Sequence, residues 1–492
     1  MPDDFQETTE LKKLSDQVLV DLNLLDHPKK PWVVTRQHHS GAPVFDVLII
    51  GAGQSGLALS FALKRENIDN VIAIDSKPEG KEGPWNSYAR MQHLRTALNL
   101  TGPDLGIPSL TPRAWYTAKY GSKAWDVLER FPTLDWHQYL TWYRSILNIP
   151  VWNETEAGPL QADELNSSSS LIKVPLKSTG VSGKNGIVFA REVILANGLE
   201  GCGEWYIPEL IKKALPEDRY SQANREIDFN LLKGKRIAVL GANAGAFDNA
   251  ATALEVGAKE AHVFVRRREI VKINAHKPFD DIAYLKHFSD FSDLERWRIA
   301  VHILQTHQPP PQESFDRAHA LKGFQMHEGA VWKNVSLGGI NGNDILIETY
   351  GGHKHLVDFI IAATGHINDF SLRTETSLLS EKIALWADRF TPLPGEEYVP
   401  AASYPYLGKN FEFIEKCPGE APYLHHIHCF TIGTLISLGM TGSSVTTMRY
   451  GIPRVIEGVT RQLFLDDKDY YLNTIMEHDE IDLVVPSDEP NG

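Results

Sequence analysis

One stretch near the N-terminus constrains the fold more than any other part of the chain. It reads FDVLIIGAGQSGLALSFALKRENIDNVIAID and spans residues 45–75. An apolar run predicts a buried parallel strand, and a glycine-rich turn, a helix and a second apolar strand ending in Asp75 follow it. Strand, G-x-G-x-x-G turn, helix, strand and acid in this order form the dinucleotide-binding fingerprint, for which an ordinary strand–helix turn is the less specific alternative. The stretch therefore predicts a doubly wound α/β domain.

Each part of this first fingerprint has a physical role in holding a dinucleotide. Gly51 permits the tight turn, Gly53 lets the backbone approach a pyrophosphate, and Gly56 lets the helix pack on the strand. The helix N-terminus offers free N–H groups to the phosphates, and Asp75 is spaced to accept hydrogen bonds from a ribose diol. Because FAD has that free diol, the first site is predicted to bind FAD. The predicted FAD contacts are Gly51, Gly53, Gln54, Ser55, Gly56, Asp75 and Ser76.

A second, altered fingerprint follows at residues 235–265. The strand KRIAVL leads into the turn GANAGA, which a helix and another strand follow. Asn243 and Ala246 replace two glycines; asparagine tolerates left-handed dihedral angles, and alanine is the next smallest residue. The second strand ends in an arginine run, residues 266–268, rather than in an acid, and guanidinium groups bind a 2′-phosphate well. An NADPH site is therefore predicted, with a solvated charge run as the alternative. Its contacts are Gly241, Asn243, Ala244, Gly245, Arg266 and Arg267.

Composition limits the kinds of partner. The 492-residue chain carries a net charge of −14, so it has no basic surplus to neutralise the phosphates of nucleic acid or an anionic membrane. Neither partner is expected. The N-terminal residues are acidic and polar, unlike a secretory or mitochondrial presequence, and the longest apolar run, near residues 429–440, is too short to span a bilayer. A cytoplasmic protein is expected, with a homodimer left open.

The spacing of cysteines and histidines argues against thiol and metal chemistry. Cys202, Cys417 and Cys429 are far apart in the sequence and form no C-x-x-C, so buried structural thiols are expected. A dithiol–disulfide reductase would need a paired redox cysteine. The histidines at positions 276–327 show no ligand spacing such as H-E-x-x-H, so no metal site is expected.

The order of the segments predicts two doubly wound, Rossmann-like domains, with the NADPH domain inserted into the FAD domain. The apolar strands in EVILANGL and DFIIAATGH both end in a small residue and a glycine, as expected where the chain crosses between domains. The predicted layout is an N-terminal helical extension (1–43), the first part of the FAD domain (44–200), a linker (201–233), the NADPH domain (234–355) with a mainly helical insertion at about 270–332, the return of the FAD domain with C-terminal helices (356–483), and a loose tail (484–492).

One site for FAD and one for NADPH indicate an enzyme that passes hydride from nicotinamide to flavin. Without a cysteine pair, the electrons would go on to oxygen or to a soluble acceptor such as a quinone or an iron–sulfur partner. An FAD-dependent NADPH oxidoreductase that reduces another acceptor without oxygenation is one alternative. A non-catalytic nucleotide sensor is another, in view of the altered second turn.

The sequence resembles the class B flavin-dependent monooxygenases over about residues 44–460. The shared order is the FAD fingerprint, a G-P-W loop followed by L-R-T, a strand ending in A-N-G, the second fingerprint with its arginines, and a strand ending in A-T-G-H. The resemblance implies that NADPH reduces FAD, that O2 forms a C4a-(hydro)peroxyflavin, and that one oxygen atom passes to a small organic substrate. Further cofactor contacts that it implies are Trp85, Arg90, Thr96, Thr364 and Gly365.

Three details refine the resemblance. Residues 215–229 lack the glycine and histidine of the linker motif in Baeyer–Villiger members, so N- or S-oxidation is favoured over carbonyl insertion. Asn99 lies two residues beyond the position of a flavin-side asparagine in flavin-containing members and is the candidate catalytic residue, with a turn-capping role as the equal alternative. The turn at residues 439–444, which contains Thr441, could open a helix that faces the flavin or an ordinary capped helix.

Overall fold

The computed structural model describes residues 8–25, 30–98, 102–163, 171–338, 344–442 and 444–484. The helices are α1 (Thr9–Leu25), α2 (Gln54–Arg65), α3 (Pro112–Tyr120), α4 (Ser122–Asp126), α5 (Thr133–Ile146), α6 (Glu209–Lys212), α7 (Ala244–Val256), α8 (Ile282–His287), α9 (Asp293–Thr306), α10 (Gln312–His319), α11 (Trp386–Arg389), α12 (Val399–Ala402), α13 (Leu435–Leu438), α14 (Met448–Asp466) and α15 (Lys468–Met476). The strands are β1 (Val44–Ile50), β2 (Val71–Ile74), β3 (Val151–Trp152), β4 (Thr155–Ala157), β5 (Gln161–Ala162), β6 (Ile172–Ser178), β7 (Gly186–Leu195), β8 (Gly203–Trp205), β9 (Tyr220–Gln222), β10 (Arg236–Leu240), β11 (Glu260–Phe264), β12 (Phe324–His327), β13 (Trp332–Gly338), β14 (Asp344–Thr349), β15 (Lys354–Val357), β16 (Phe359–Ala362), β17 (His366–Asn368) and β18 (Ile427–Cys429).

The larger sheet is built around the first fingerprint. β1 lies between β2 and β7 and is parallel to both, so that Val47 is opposite Val71 on one side and Glu192 on the other. β3 extends the sheet beyond β2, β18 pairs in parallel with β7, and β6 and β4 add antiparallel strands. The last five residues of β1 are buried, as a strand covered on both faces requires. The glycine turn therefore lies at the carboxyl end of the central parallel strands, where such sheets bind ligands.

The second sheet is wholly parallel and has the strand order β12-β11-β10-β16-β9. Side chains alternate between its faces: Val239 and Val263 pack in the core that contains α7, whereas Ala238 and Phe264 pack against the antiparallel sheet β13-β14-β15. Both faces are covered, which explains the continuous apolar runs of these strands. The residues of this sheet include the second fingerprint.

The two crossings between the sheets lie side by side. After β7 the chain leaves the larger sheet through β8, and after β16 it returns through β17. These two short strands pair with each other in antiparallel fashion, with His366 opposite Trp205. The predicted fold, an NADPH-binding α/β domain inserted into an FAD-binding one, is confirmed.

Two segments outside the fingerprints, helix α1 and residues 270–332, can be compared with the structure that their sequences predict. Helix α1 forms as its apolar spacing predicts and buries Leu11 and Val18. The segment at 270–332, predicted as mainly helical, contains α8, α9 and α10 but also β12, the edge strand of the second sheet. Because β12 is only four residues long, its alternation of apolar and polar residues is too short to predict a strand.

A buried ionic cluster joins β7 to the return segment. The carboxylate of Glu192 lies 2.7 Å from Nδ1 of His426 and 3.0 Å from Nε2 of His428, and all three side chains are nearly or fully inaccessible. Burial alone would raise the pKa of Glu192 and lower that of His428. Their mutual contact outweighs burial, so the pKa of Glu192 is lowered and the pKa of His428 is raised.

The cluster predicts a specific pH dependence of stability. The lowered pKa of Glu192 contributes to the free energy of unfolding above the ordinary pKa of 4.5. The raised pKa of His428 contributes fully below the ordinary pKa of 6.5, and this contribution is lost as pH rises through the raised pKa. Glu192→Gln, which keeps one acceptor oxygen, should therefore lower the free energy of unfolding by about 1–2 kcal/mol near pH 6 and by less at pH 9. Urea unfolding at both pH values measures this. The exposed carboxylate change Glu209→Gln is the control, and an equal loss at both pH values would contradict the assignment.

Candidate active site

The first glycine turn has the shape that a bound dinucleotide requires. Gly51 has a φ of +105°, and a Cβ there would lie 2.5 Å from the carbonyl oxygen of Ala196. A Cβ on Gly56 would lie 1.9 Å from the carbonyl oxygen of Gly51. A Cβ on Gly53, in contrast, would come no closer than 3.7 Å to the Cα of Gly83. Gly51 and Gly56 are therefore required by the turn itself, whereas Gly53 leaves open space above it.

The open space faces the N-terminus of α2, which begins at Gln54 and has Gly53 as its N-cap. In the described part of the chain, no side chain caps this end, so its N–H groups are available to phosphate oxygens. Ser55, in the first turn, is buried, while Ser76, at the end of β2, is exposed. The cradle thus fits the pyrophosphate of FAD.

Asp75 follows β2 and lies beside the turn. Its Oδ2 accepts a hydrogen bond from the backbone N–H of Ala52 and its Oδ1 one from that of Lys77, both at 2.9 Å. An ionised carboxylate has about four acceptor positions, so about two stay open for a ribose diol. Burial raises the pKa of Asp75, and the two N–H groups oppose that rise. Asp75 fits the predicted ribose contact.

The far end of the turn leads into a cavity of about 470 Å³. Oε1 of Gln54 accepts a hydrogen bond from Nε1 of Trp136 at 3.2 Å, and Trp136 lines this cavity together with Thr96. Trp85 packs edge-on against Trp136, with ring centroids 6.3 Å apart. Nε1 of Trp85 is buried and has no hydrogen-bond partner among the described residues, so a cofactor atom could accept its hydrogen bond. The structure thus places Gln54, Trp85 and Thr96 around Trp136.

Arg90 has a different position. Its guanidinium donates hydrogen bonds to the carbonyl oxygens of Tyr88, Ala223 and Arg225, each at 2.6 Å. Burial lowers the pKa of Arg90 to about 10. Arg90 therefore ties the loop after β2 to the segment before the second fingerprint, a role that differs from the predicted flavin contact.

The two remaining candidates near the flavin are Asn99 and Thr441. Asn99, the candidate catalytic residue, lies outside the described residues. The hydroxyl of buried Thr441 donates to the carbonyl oxygen of Leu438 at 3.1 Å. The next long helix, α14, begins only at Met448 after a 3-10 turn at Val445–Thr447, so the turn containing Thr441 does not itself open that helix.

The second glycine turn resembles the first, but the reason why it tolerates Asn243 differs from the one expected from the sequence. Gly241 has a φ of +145°, and a Cβ there would lie 2.3 Å from the carbonyl oxygen of Ala363. Asn243 has a φ of −88°, so the left-handed tolerance expected of asparagine is not what permits it here. Around Gly245 the nearest atom to an added Cβ is Oδ1 of Asn224, at 4.0 Å. As the N-cap of α7, Asn243 makes no side-chain cap within the described residues, which leaves the N–H groups of Ala244 and Gly245 available to phosphates.

The arginine run lies at the end of β11, beside the C-terminal end of α9. Arg266 and Arg267 are exposed, and Arg267 donates a hydrogen bond to the carbonyl oxygen of Gln305. Partial burial and the charges of these two arginines lower the pKa of His307. Two exposed guanidinium groups next to a neutral imidazole fit a 2′-phosphate. No sequence signal placed Gln305 and His307 here, because they come from the insertion.

Thr364 and Gly365 lie in the return crossing. The hydroxyl of Thr364 donates to the carbonyl oxygen of Tyr206, and the carbonyl oxygen of Gly365 accepts from the backbone N–H of Tyr206 at 2.9 Å. Gly365 has a φ of +80°, which favours glycine. Both residues therefore shape the crossing next to the turn at Gly241.

Two further contacts could not have been predicted from the sequence. Nη2 of Arg95, in the loop of the FAD domain, lies 3.1 Å from Oδ2 of Asp248 on α7, which links the two domains near their nucleotide turns. Cys202 and Cys429, separated by more than 200 positions, are both buried with their sulfur atoms 3.9 Å apart. The expected burial of these two thiols is confirmed, but Cys417 is exposed and the cysteines are not all distant in space. Within the described residues, no helix is long and apolar enough to cross a membrane.

The arrangement defines a two-site flavoprotein of the FAD and NADPH class. No family model matches the chain. A curated relative, the FAD-dependent urate hydroxylase of Xanthomonas campestris pv. campestris, is 38% identical over 477 residues, which are 96% of this chain and 97% of the relative. Two solved structures share the fold. Ornithine hydroxylase PvdA from Pseudomonas aeruginosa has a TM-score of 0.64 and 14% identity, covering 85% of this chain and 100% of that one. DfoA, a cadaverine monooxygenase from Erwinia amylovora, has a TM-score of 0.62 and 12% identity, covering 85% and 95%.

The chain belongs to the family of the FAD-dependent urate hydroxylase. It is an FAD-dependent monooxygenase that uses O2 to oxygenate a small organic substrate. The resemblance stated from the sequence is thereby confirmed.

Proposed function

We propose that this enzyme hydroxylates urate. The observation that carries the proposal is the 38% identity to a urate hydroxylase over nearly the full length of both chains. In the reaction, NADPH supplies two electrons, one atom of O2 enters urate as a hydroxyl group, and the other leaves as water with the protons. The amine substrates named for the solved structures belong to proteins at 12–14% identity, which share the fold alone.

The cavity beside the FAD turn supports a planar, anionic substrate. Its wall includes the aromatic rings of Trp125, Phe131 and Trp136 together with Arg113. The guanidinium carbon of Arg113 lies 5.7 Å from the centre of the Trp125 ring. Aromatic faces stack on a flat heterocycle, and a guanidinium group attracts an anion and donates hydrogen bonds to its carbonyl oxygens. Its volume of about 470 Å³ is within the range of small-ligand sites.

The protein and the cofactor have separate tasks in this scheme. When bound, FAD accepts hydride from NADPH and activates O2. The N-terminus of α2 and Asp75 would hold the nucleotide end of FAD, and Gln54 and Trp136 lie between this turn and the cavity. The tryptophans exclude water from the reacting atoms, and Arg113 orients the substrate against them.

The test is NADPH oxidation by the FAD-loaded full chain, followed together with O2 uptake and product mass. Urate should stimulate NADPH oxidation and give one hydroxylated product per NADPH and O2 consumed, whereas ornithine and cadaverine should not. Stimulation by an amine with an N-hydroxylated product would overturn the urate proposal and leave the monooxygenase class intact. Rapid transfer of electrons to a quinone with no oxygenated product for any substrate would favour the non-oxygenating oxidoreductase.

A matched pair of variants locates the substrate. Arg113→Gln should raise KM for urate about tenfold with little change in kcat, because a hydrogen bond to a charged group contributes about 1.5 kcal/mol. Lys123→Gln removes an exposed positive charge from the neighbouring helix α4 and should leave KM unchanged. An equal effect of both variants would indicate general electrostatic attraction rather than a substrate contact in this cavity.

Two wider expectations stay proposals. A homodimer is supported by exposed apolar side chains on the C-terminal helix α15, among them Leu472 and Ile475, and light scattering on the holoenzyme tests it. The cytoplasmic location rests on the sequence alone.

A further inference from the structure

Three histidines from three strands come together on the face of the second sheet that the antiparallel sheet covers. His262 lies on β11, His327 ends β12, and His355 lies on β15 of the antiparallel sheet. The ring centroids of His327 lie 5.3 Å from those of His262 and 4.6 Å from those of His355. One ring nitrogen of each residue lies within 4.8 Å of those of the other two. Two of these histidines come from the NADPH-binding sheet and the third from the sheet that covers it.

The protonation of the cluster follows from its contacts. Nε2 of His262 lies 3.2 Å from a carboxylate oxygen of Glu260, and Nδ1 of His262 lies 3.0 Å from Nε2 of His327. Glu260 and His327 thus contact different ring nitrogens of His262. A carboxylate accepts the proton of Nε2, so Nδ1 of His262 presents its lone pair to the other rings. A carboxylate holding the far nitrogen of an imidazole is the usual outer partner of a metal-binding histidine.

We propose that His262, His327 and His355 bind one divalent transition-metal ion, with Zn²⁺ the best match, and that the ion fastens the antiparallel sheet to the NADPH-binding sheet. Three imidazoles with a carboxylate behind one of them form a donor set that zinc binds, with a water molecule as fourth ligand. In a tetrahedral site with Zn–N bonds of about 2.0–2.1 Å, ligand nitrogens are about 3.4 Å apart. The nitrogens here lie within 4.8 Å of one another, so they would have to approach by up to about 1.4 Å to bind one ion. A hydrogen bond between two stacked rings would explain His262 and His327 but not the third histidine.

The sequence could not reveal this site. His262 and His327 are 65 positions apart, and His355 follows after another 28, so no short metal-binding motif exists. Parallel pairing of β11 with β12 and the packing of β15 create the proximity. This explains why a search for ligand spacing predicted no metal.

The test is zinc binding by the tag-free, FAD-loaded full chain. The protein is dialysed against ZnCl₂ and then against buffer, and its zinc content is measured by mass spectrometry. The wild type should retain one zinc per chain, and His355→Gln and His327→Gln should each lose it. Glu260→Gln should weaken zinc binding about 10–100-fold. Zinc should also raise the thermal midpoint of the wild type but not of His355→Gln.

His353→Ala is the matched control, because this exposed histidine lies two positions from His355 in the same hairpin. It should retain the zinc. Equal zinc content in the wild type and His355→Gln, or equal loss in His353→Ala, would overturn the proposal in favour of adventitious surface binding. Unchanged flavin content in each variant shows that the fold is intact, and glutamine preserves the side-chain volume so that packing is retained.

Discussion

Replacing Gly53 by alanine is expected to leave the chain folded while depriving it of most of its FAD. A Cβ at this position would meet only the Cα of Gly83, at 3.7 Å, and the backbone at Gly53 has an ordinary φ of −68°. The same Cβ would stand where the pyrophosphate has to approach the backbone. Each lost charge-assisted phosphate contact costs about 1.5–3 kcal/mol, which corresponds to roughly 10- to 150-fold weaker FAD binding. The measurement is FAD titration of the apoprotein, with flavin content after dialysis as a second readout.

The comparison with Gly56→Ala makes this result specific. A Cβ on Gly56 would lie 1.9 Å from the carbonyl oxygen of Gly51, so this change should damage the turn and lower stability as well as FAD content. Gly53→Ala should cost below about 1 kcal/mol of stability, the scale of an N-cap change. Full FAD occupancy in Gly53→Ala would show that the cofactor does not lie over this turn.

Arg266→Ala combined with Arg267→Ala should shift the enzyme's preference from NADPH towards NADH. Both guanidinium groups are exposed at the end of β11, where the 2′-phosphate of NADPH would be recognised. Losing both charge-assisted contacts should weaken NADPH binding by about 3–6 kcal/mol. The binding of NADH, which lacks the phosphate, should change little. The ratio of kcat/KM for the two nucleotides, measured with the holoenzyme, reports this directly.

Arg268→Ala provides the control for general electrostatics. Arg268 continues the same exposed run, and its replacement removes one positive charge, but Arg268 is not among the predicted contacts. It should leave the NADPH-to-NADH ratio close to that of the wild type. An equal loss for both nucleotides in the double variant would contradict the assignment of the arginines to the 2′-phosphate.

The fold was predictable because its signals are local. The apolar run of β1, the glycine turn and the helix α2 are adjacent in the chain, and so are β10, the second turn and α7. Buried parallel strands and glycines with positive φ can be recognised from a sequence pattern of about 30 residues. The same reasoning succeeded for Gly51 and Gly241, where an added side chain would strike the backbone.

The contacts between distant segments were not predictable. Arg90 binds carbonyl oxygens more than 130 positions away, and Arg95 pairs with Asp248 from the other domain. A single sequence carries no signal for such proximity, which depends on how the two domains pack. Asn243 lies in an extended backbone conformation that any residue can adopt, so the replacement of glycine here needs no tolerance of left-handed dihedral angles.

The pairing of β8 with β17 has a consequence for how such a chain can be rebuilt. Trp205 and His366 are opposite each other in an antiparallel ladder, so the inserted part leaves and re-enters its host at one place. Antiparallel strands can be joined by a two-residue hairpin turn. Severing the chain at these two residues would therefore free the NADPH-binding module whole, and a short turn would close the flavin half behind it. The inserted domain could therefore be exchanged at this one junction for a domain with a different nicotinamide preference.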